Sequence, residues 1–210
     1  RGQSSTEYDP QKAPTVEAQI VNAADEIAYT THDLDDGLRV GLLDPVALES
    51  LELWRLALDR AGVLPGSLDE LSRHRTVRRL IDLEVTDLVH VTAEVLSARQ
   101  LGSAEEVRSL GTSVVRHSAE MEAFNRELKD FLYAHLYRHW RVLRMANKAR
   151  RFVRMLFEAY ISDMRQLPDS VRAAAEEDGP YRAVCDHIAG MTDRYALEEY
   201  RKLFDPLVSQ

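Results

Sequence analysis

An all-α fold is what this chain of 210 residues predicts. Apolar residues recur at a helical spacing of about 3.6 through almost the whole sequence, and alternating β-branched runs bounded by turns are scarce. Glycine, proline and serine clusters fall where the periodic stretches would have to end.

The first helix is expected from about Thr15 to Val40, with an apolar stripe of Ile20, Ala23, Ile27, Leu34 and Leu38. Gly37 and Gly41 help to close it before Asp44-Pro45. A second helix runs to about Ala61 and stops at Gly62. Ser67-Leu-Asp-Glu70 reads as a capping box, the serine accepting from an early helical amide while the glutamate reaches back, and it opens a helix towards Arg99. Ser103-Ala-Glu-Glu106 repeats the device for a short helix. Gly111 to Ser118 is expected to be extended or loop, and residues 118–165 to form two long helices or one kinked one. Pro168 and Gly179-Pro180 punctuate two further helices, the last ending near Phe204. Residues 1–14 are polar and are expected to form a flexible lead-in; residues 15–210 form one helical portion without internal repeats or a clear linker.

Composition narrows the function classes. At 45% apolar residues the chain can bury a core. No apolar run reaches the roughly 18 residues of a membrane span, so no membrane association is expected. The lone Cys185 cannot form an internal disulfide, and with no apolar leader at the start of the sequence the expected location is the cytoplasm. A first residue of Arg1 suggests a piece of a longer protein. The formal charge of -8 argues against a general duplex-coating protein, but the charge is unevenly spread. Residues 1–60 hold twelve acids against five Lys or Arg, whereas Phe131 to Phe157 has seven basic residues and no acid.

The acids converge. At the angular step of a helix, Asp25, Tyr29, His32, Asp33 and Asp36 fall within about 100° of arc, opposite the apolar stripe. Spacing alone leaves two readings open: a solvated helix face, or a cleft in which carboxylates hold a divalent cation through oxygen or bond a ligand's hydroxyl groups. The adjacent pair His32-Asp33 supplies too few ligands for a metal and points in two directions.

The segment VEAQIVNAADEIAYTTHDLDDGLRVGLL resembles the last metal-site segment of the bacterial dGTP triphosphohydrolase-like branch of the HD hydrolase superfamily. ELKDFLYAHLYRHWRVLRMANKARR and CDHIAGMTDRYALEEYRKLF are similar to that branch's C-terminal signatures, in the expected order. The resemblance implies an HD-type helical fold and a parent enzyme that hydrolyses deoxynucleoside triphosphates to deoxynucleoside and tripolyphosphate. It implies a divalent metal (Mg, Mn, Fe or Co) held by a His, a His-Asp dyad and a final Asp, the last matching Asp25. Tyr29 matches a position that packs near the sugar and disfavours a 2'-hydroxyl, and Asp33 one that bonds the 3'-hydroxyl. The first three metal ligands have no counterpart in this sequence, so the chain alone is expected to be inactive and to bind no metal specifically.

A tripolyphosphate leaving group needs cations, and Arg138, Arg141, Arg144, Lys148, Arg151 and Arg154 form a helical stripe, with Leu143, Phe152 and Leu156 interleaved to meet the core. Phosphate contacts are expected near Tyr137, Arg138, Arg141 and Lys148, for substrate or for a dNTP effector. A solvated basic face and a single-stranded nucleic-acid track remain open beside this. The resemblance also implies a homo-oligomer. A different class of function stays open as well: a non-catalytic helical module for oligomerisation or single-stranded nucleic acid.

Other candidates fail on count. His135 and His139 lack the glutamate of HExxH, and Asp87-x-x-His90 is one carboxylate-histidine motif where a di-iron bundle needs two. Cys185 reads as a small packing residue, and Asp193-Arg194 as an ion pair fixing the last helix.

Overall fold

The computed structural model describes residues 12–208. They form ten α-helices and no strand. The lead-in expected over residues 1–14 lies outside the described residues except at its end. There Ala13 is buried and donates its amide to Arg108 O at 2.8 Å, and Lys12 pairs with Glu105.

The chain divides after His139 into two compact units. In the first, α1 (Val16–Arg39) is capped by Thr15, whose hydroxyl accepts from Ala18 N at 3.4 Å. The single second helix expected from sequence is two: α2 (Pro45–Leu48), capped by Asp44, and α3 (Glu52–Ala61), closed by Gly62 in the left-handed region. The long α4 (Glu70–Arg99) is capped by Asp69, not Ser67: Asp69 Oδ1 accepts from Ser72 N at 2.7 Å, while Ser67 serves the preceding turn at Gly66. In the short α5 (Ala104–Ser109) Ser103 does cap Glu106 N, but Glu106 reaches back to Gly102 N at 2.8 Å. Residues 111–118 form no helix, and α6 (Ala119–Leu132) runs into a π-helical turn at Tyr133–Tyr137.

Helices α1, α3, α4 and α6 meet around Leu34, Leu53, Trp54, Leu80, Leu128 and Leu132. Each such leucine contributes about 1.5–3 kcal/mol of burial. The buried face of α1 differs from the expected stripe at one end. Ile20 is 46% exposed, and the polar Gln19 is buried in its place. Thr30 and Thr31 reach the core by donating their hydroxyls to the carbonyls of Glu26 and Ile27. At Gly37 a side chain could not fit: a Cβ there would stand 2.7 Å from Leu43 Cδ1. The start of α4 is tied to α1 by Arg73, nearly buried, which pairs with the Asp35 carboxylate and donates to Asp35 O at 3.2 Å.

The second unit contains α7 (Trp140–Ser162), α8 (Asp169–Asp178), α9 (Pro180–Ala189) and α10 (Asp193–Phe204). Its core is Leu156, Tyr160, Leu167, Val184 and Ala196, with Phe152 packed against it. Leu143, expected to meet the core, is exposed, as is Cys185. Arg194 pairs with Glu198 at 3.0 Å rather than with Asp193, which follows the cap residue Thr192.

Candidate functional site

Helix α1 turns its acids away from the core. Asp25, His32 and Asp36 are exposed, Tyr29 is 68% exposed, and Asp33 is half-buried at the edge of that face. The π-helical turn brings Tyr137 to this edge, where its hydroxyl donates to Asp33 Oδ2. Partial burial, then the nearby Asp33 and Tyr29, push the Tyr137 phenol up to about 12. Tyr29, Asp33 and Tyr137 therefore form one cluster, joining residues 104 positions apart in sequence. A carboxylate held in place by a phenol keeps lone pairs free to accept from a ligand hydroxyl.

Beside this cluster Arg138 lies over the Tyr133 ring, 4.8 Å from its centroid, and donates to its hydroxyl at 3.3 Å. Arg141 and Lys148 belong to the second unit, on α7. There Arg141 sits over the Trp140 ring, and a surface concavity of about 970 Å³ is lined by Trp140, Arg141, Arg144, Met145, Asn147, Lys148 and Arg151. The members of the basic stripe from Arg141 to Arg154 are thus exposed along α7.

A metal needs several ligands converging on one point, and three or more His, Cys, Asp or Glu side chains do not gather in that way anywhere among the described residues. Asp25 offers one carboxylate from an open face, so the residues present do not by themselves fit a metal centre. His90 pairs with Glu94 at 3.2 Å on the surface of α4, and His135 stacks on Phe131 with centroids 4.3 Å apart.

Sequence reasoning missed a second polar cluster, between α1, α4 and α6. A cavity of about 490 Å³ is lined there by Glu26, Ser113, Arg116, His117, Asn125, Arg126 and Lys129, among others. Lys129 pairs with Glu26, the residue after Asp25. His117 Nδ1 lies 3.0 Å from Asp87 Oδ2, which also accepts the Ser118 amide at 2.9 Å. Burial works to raise the Asp87 pKa, but the Ser118 and His117 hydrogen bonds outweigh it and hold the carboxyl below its ordinary value. Beneath this cluster lies Glu84, 1% exposed. Its signal was present in the sequence: Glu84 stands four residues from both Leu80 and Leu88, on the buried stripe of α4.

Residues 115–202 match a family described as the phosphohydrolase-associated domain. The chain is also similar to several proteins named deoxyguanosinetriphosphate triphosphohydrolase-like. It is 42% identical to that of Geobacter sulfurreducens over 198 residues, covering 94% of this chain and 51% of the relative. It is 43% identical to that of Deinococcus deserti over 192 residues, covering 91% and 50%. The chain spans about half the length of the curated relatives it matches. Over nearly all of its length it is therefore homologous to the C-terminal part of the deoxyguanosinetriphosphate triphosphohydrolase-like proteins, the resemblance that its three sequence blocks carry.

Proposed function

We propose that this chain is the C-terminal portion of a metal-dependent deoxynucleoside triphosphate triphosphohydrolase, and that it contributes the sugar-recognition surface. The observation that carries the reading is the cluster of Tyr29, Asp33 and Tyr137 one helical turn and more from Asp25 on α1. Asp33 accepts from the 3'-hydroxyl, Tyr137 fixes the Asp33 carboxylate, and the Tyr29 ring fills the space a 2'-hydroxyl would need. Burying that hydroxyl against an aromatic ring without a partner costs about 1–3 kcal/mol, enough for a ten- to hundredfold preference for deoxyribose.

Asp25 supplies one ligand to a divalent metal, Mg, Mn, Fe or Co, whose other ligands lie in the part of the longer protein that the relatives have and this chain does not span. The open face of α1 suits that role, because it also exposes Val21 and Tyr29, apolar groups that further polypeptide would cover. Alone, the chain is inactive. The longer protein works in the cytoplasm as a homo-oligomer.

The test is to express the longer protein and assay each dNTP for release of tripolyphosphate. Asp25→Ala abolishes turnover, and Tyr29→Ala raises activity on ribonucleotides relative to deoxyribonucleotides. Normal turnover by the Asp25→Ala variant removes the metal assignment.

The exposed cationic face of α7, with Arg141 over Trp140, favours a second reading: Arg141 and Lys148 contact phosphates of substrate, of a dNTP effector or of single-stranded nucleic acid. Aromatic rings beside guanidinium groups suit unstacked bases. Binding to a single strand would weaken steeply with salt, and a flat response dismisses the nucleic-acid version.

A further inference from the structure

Two buried polar atoms lack hydrogen-bond partners among the described residues, Glu84 Oε2 and Asn125 Oδ1. Asn125, on α6, stands near enough to the Glu84 carboxyl, on α4, to bear on its protonation. Two orphaned acceptors in the interior are costly, since each forfeits its hydration and gains nothing. One proton removes both deficits. If Glu84 is a neutral acid, its Oε2–H donates to Asn125 Oδ1 while its other oxygen accepts from the Asn125 amide, and neither orphaned oxygen is left unpaired.

We infer that Glu84 keeps its proton in the folded chain and forms a closed acid-amide pair with Asn125, a proton-dependent clasp holding α6 on α4. The surroundings agree. The charged groups facing Glu84 are Glu26 from α1 and Lys129 from α6, and these pair with each other; α3 presents an apolar face to α4. On its own helix, Asp87 is engaged by His117 and Ser118. Burial is the largest influence on the Glu84 carboxyl, and with Glu26 it outweighs Lys129 and Asn125, raising the pKa from 4.5 to about 8. Loss of the proton would leave two acceptors facing each other and a second carboxylate competing for Lys129. The clasp thus loosens on the alkaline side of neutrality, whatever reaction the longer protein performs.

The sign of the linkage follows from that raised value. Between 4.5 and about 8 the unfolded chain ionises while the folded chain does not, so the folding equilibrium constant falls as pH rises, by up to about tenfold per pH unit. Glu84→Gln reproduces both hydrogen bonds with an amide that cannot titrate. The experiment measures urea unfolding of the chain and of Glu84→Gln from pH 5 to pH 9. The expected result is near-equal stability at the acid end and a growing advantage for the variant towards the alkaline end. A pH-independent difference, or a variant weakened most above neutrality, overturns the inference. In parallel, infrared spectra of the wild-type chain carrying carbon-13 glutamate should show one protonated carboxyl band at pH 7. Its absence also overturns the inference, even if the variant does not fold.

Discussion

Replacing Gln19 by alanine should unfasten the segment that leads into α6. Its Oε1 accepts from Val114 N at 2.8 Å, from Val115 N at 3.1 Å and from the Ser113 hydroxyl at 2.7 Å, and its Nε2 donates to Pro14 O at 2.7 Å. Not all four bonds count equally. Ser113 keeps a second acceptor in Val115 O, and Pro14 is exposed, so water replaces the amide there. Val114 and Val115 are 0% and 7% exposed, and their amides would be left with nothing. At about 1–3 kcal/mol for each orphaned buried donor, Gln19→Ala costs roughly 2–6 kcal/mol. Urea unfolding reads the total, and native-state hydrogen exchange assigns it, with protection falling first at Val114 and Val115. Gln19→Glu retains the acceptor and should preserve more of that protection than Gln19→Ala does. A loss below about 0.5 kcal/mol, in the range of an ordinary surface substitution, with unchanged exchange at both amides would refute the argument.

Gly37→Ala should be net destabilising despite alanine's helical preference. Its Cβ would stand 2.8 Å from Leu43 Cγ and 3.2 Å from Leu136 Cδ1, an overpacking cost of about 1–3 kcal/mol against a propensity gain of about 1. A higher melting temperature for Gly37→Ala would contradict this, and pairing it with Leu43→Ala should recover part of the packing strain. Removing one side of the Arg73–Asp35 pair strands a nearly buried guanidinium, so Asp35→Ala should cost about 3–5 kcal/mol, several times any surface pair, as measured by chemical unfolding. Asp87 acts in the acid limb. Its depressed pKa contributes stability above the ordinary carboxylate value of 3.8, lost as pH falls through the lower folded value, and Asp87→Asn should flatten that part of the profile. Tyr137→Phe in the longer protein should weaken dNTP binding without shifting the activity profile below about pH 10, because the phenol stays neutral there.

The helical layout is legible in the sequence wherever local chemistry decides it. Thr15, Asp44, Ser103 and Ser118 each cap the helix that follows through a side-chain oxygen, and Gly62 ends α3 with a backbone that other residues resist. The misplaced cap at Ser67 is instructive in the same terms. Ser67 and Asp69 are both good caps, and the turn through Leu64 and Gly66 takes the serine amide for itself, leaving Asp69 next to the first free helical amides. The shared face of Tyr29 and Asp33 is readable from α1 alone, but the hydroxyl bonded to Asp33 comes from Tyr137 through a π-helical turn that no local pattern announces.

Where the reading of the core failed, it failed at polar residues. Hydrophobicity alone turns Ile20 inward, yet the core position falls to Gln19 and carries an obligation to Val114 and Val115 that an isoleucine could not meet. Glu84 sits between Leu80 and Leu88 on a buried stripe, and Asn125, on α6, is the partner inferred for it. Both cases have one form: a polar side chain at an apolar period, with its partner far away in sequence. Single-sequence periodicity detects the anomaly but not the partner, because the partner is chosen by tertiary packing. Such an anomaly on an otherwise apolar stripe is best read as a bond still to be found: the Gln19 bonds hold the 111–118 segment that leads into α6, and the inferred Glu84–Asn125 pair would hold α6 itself.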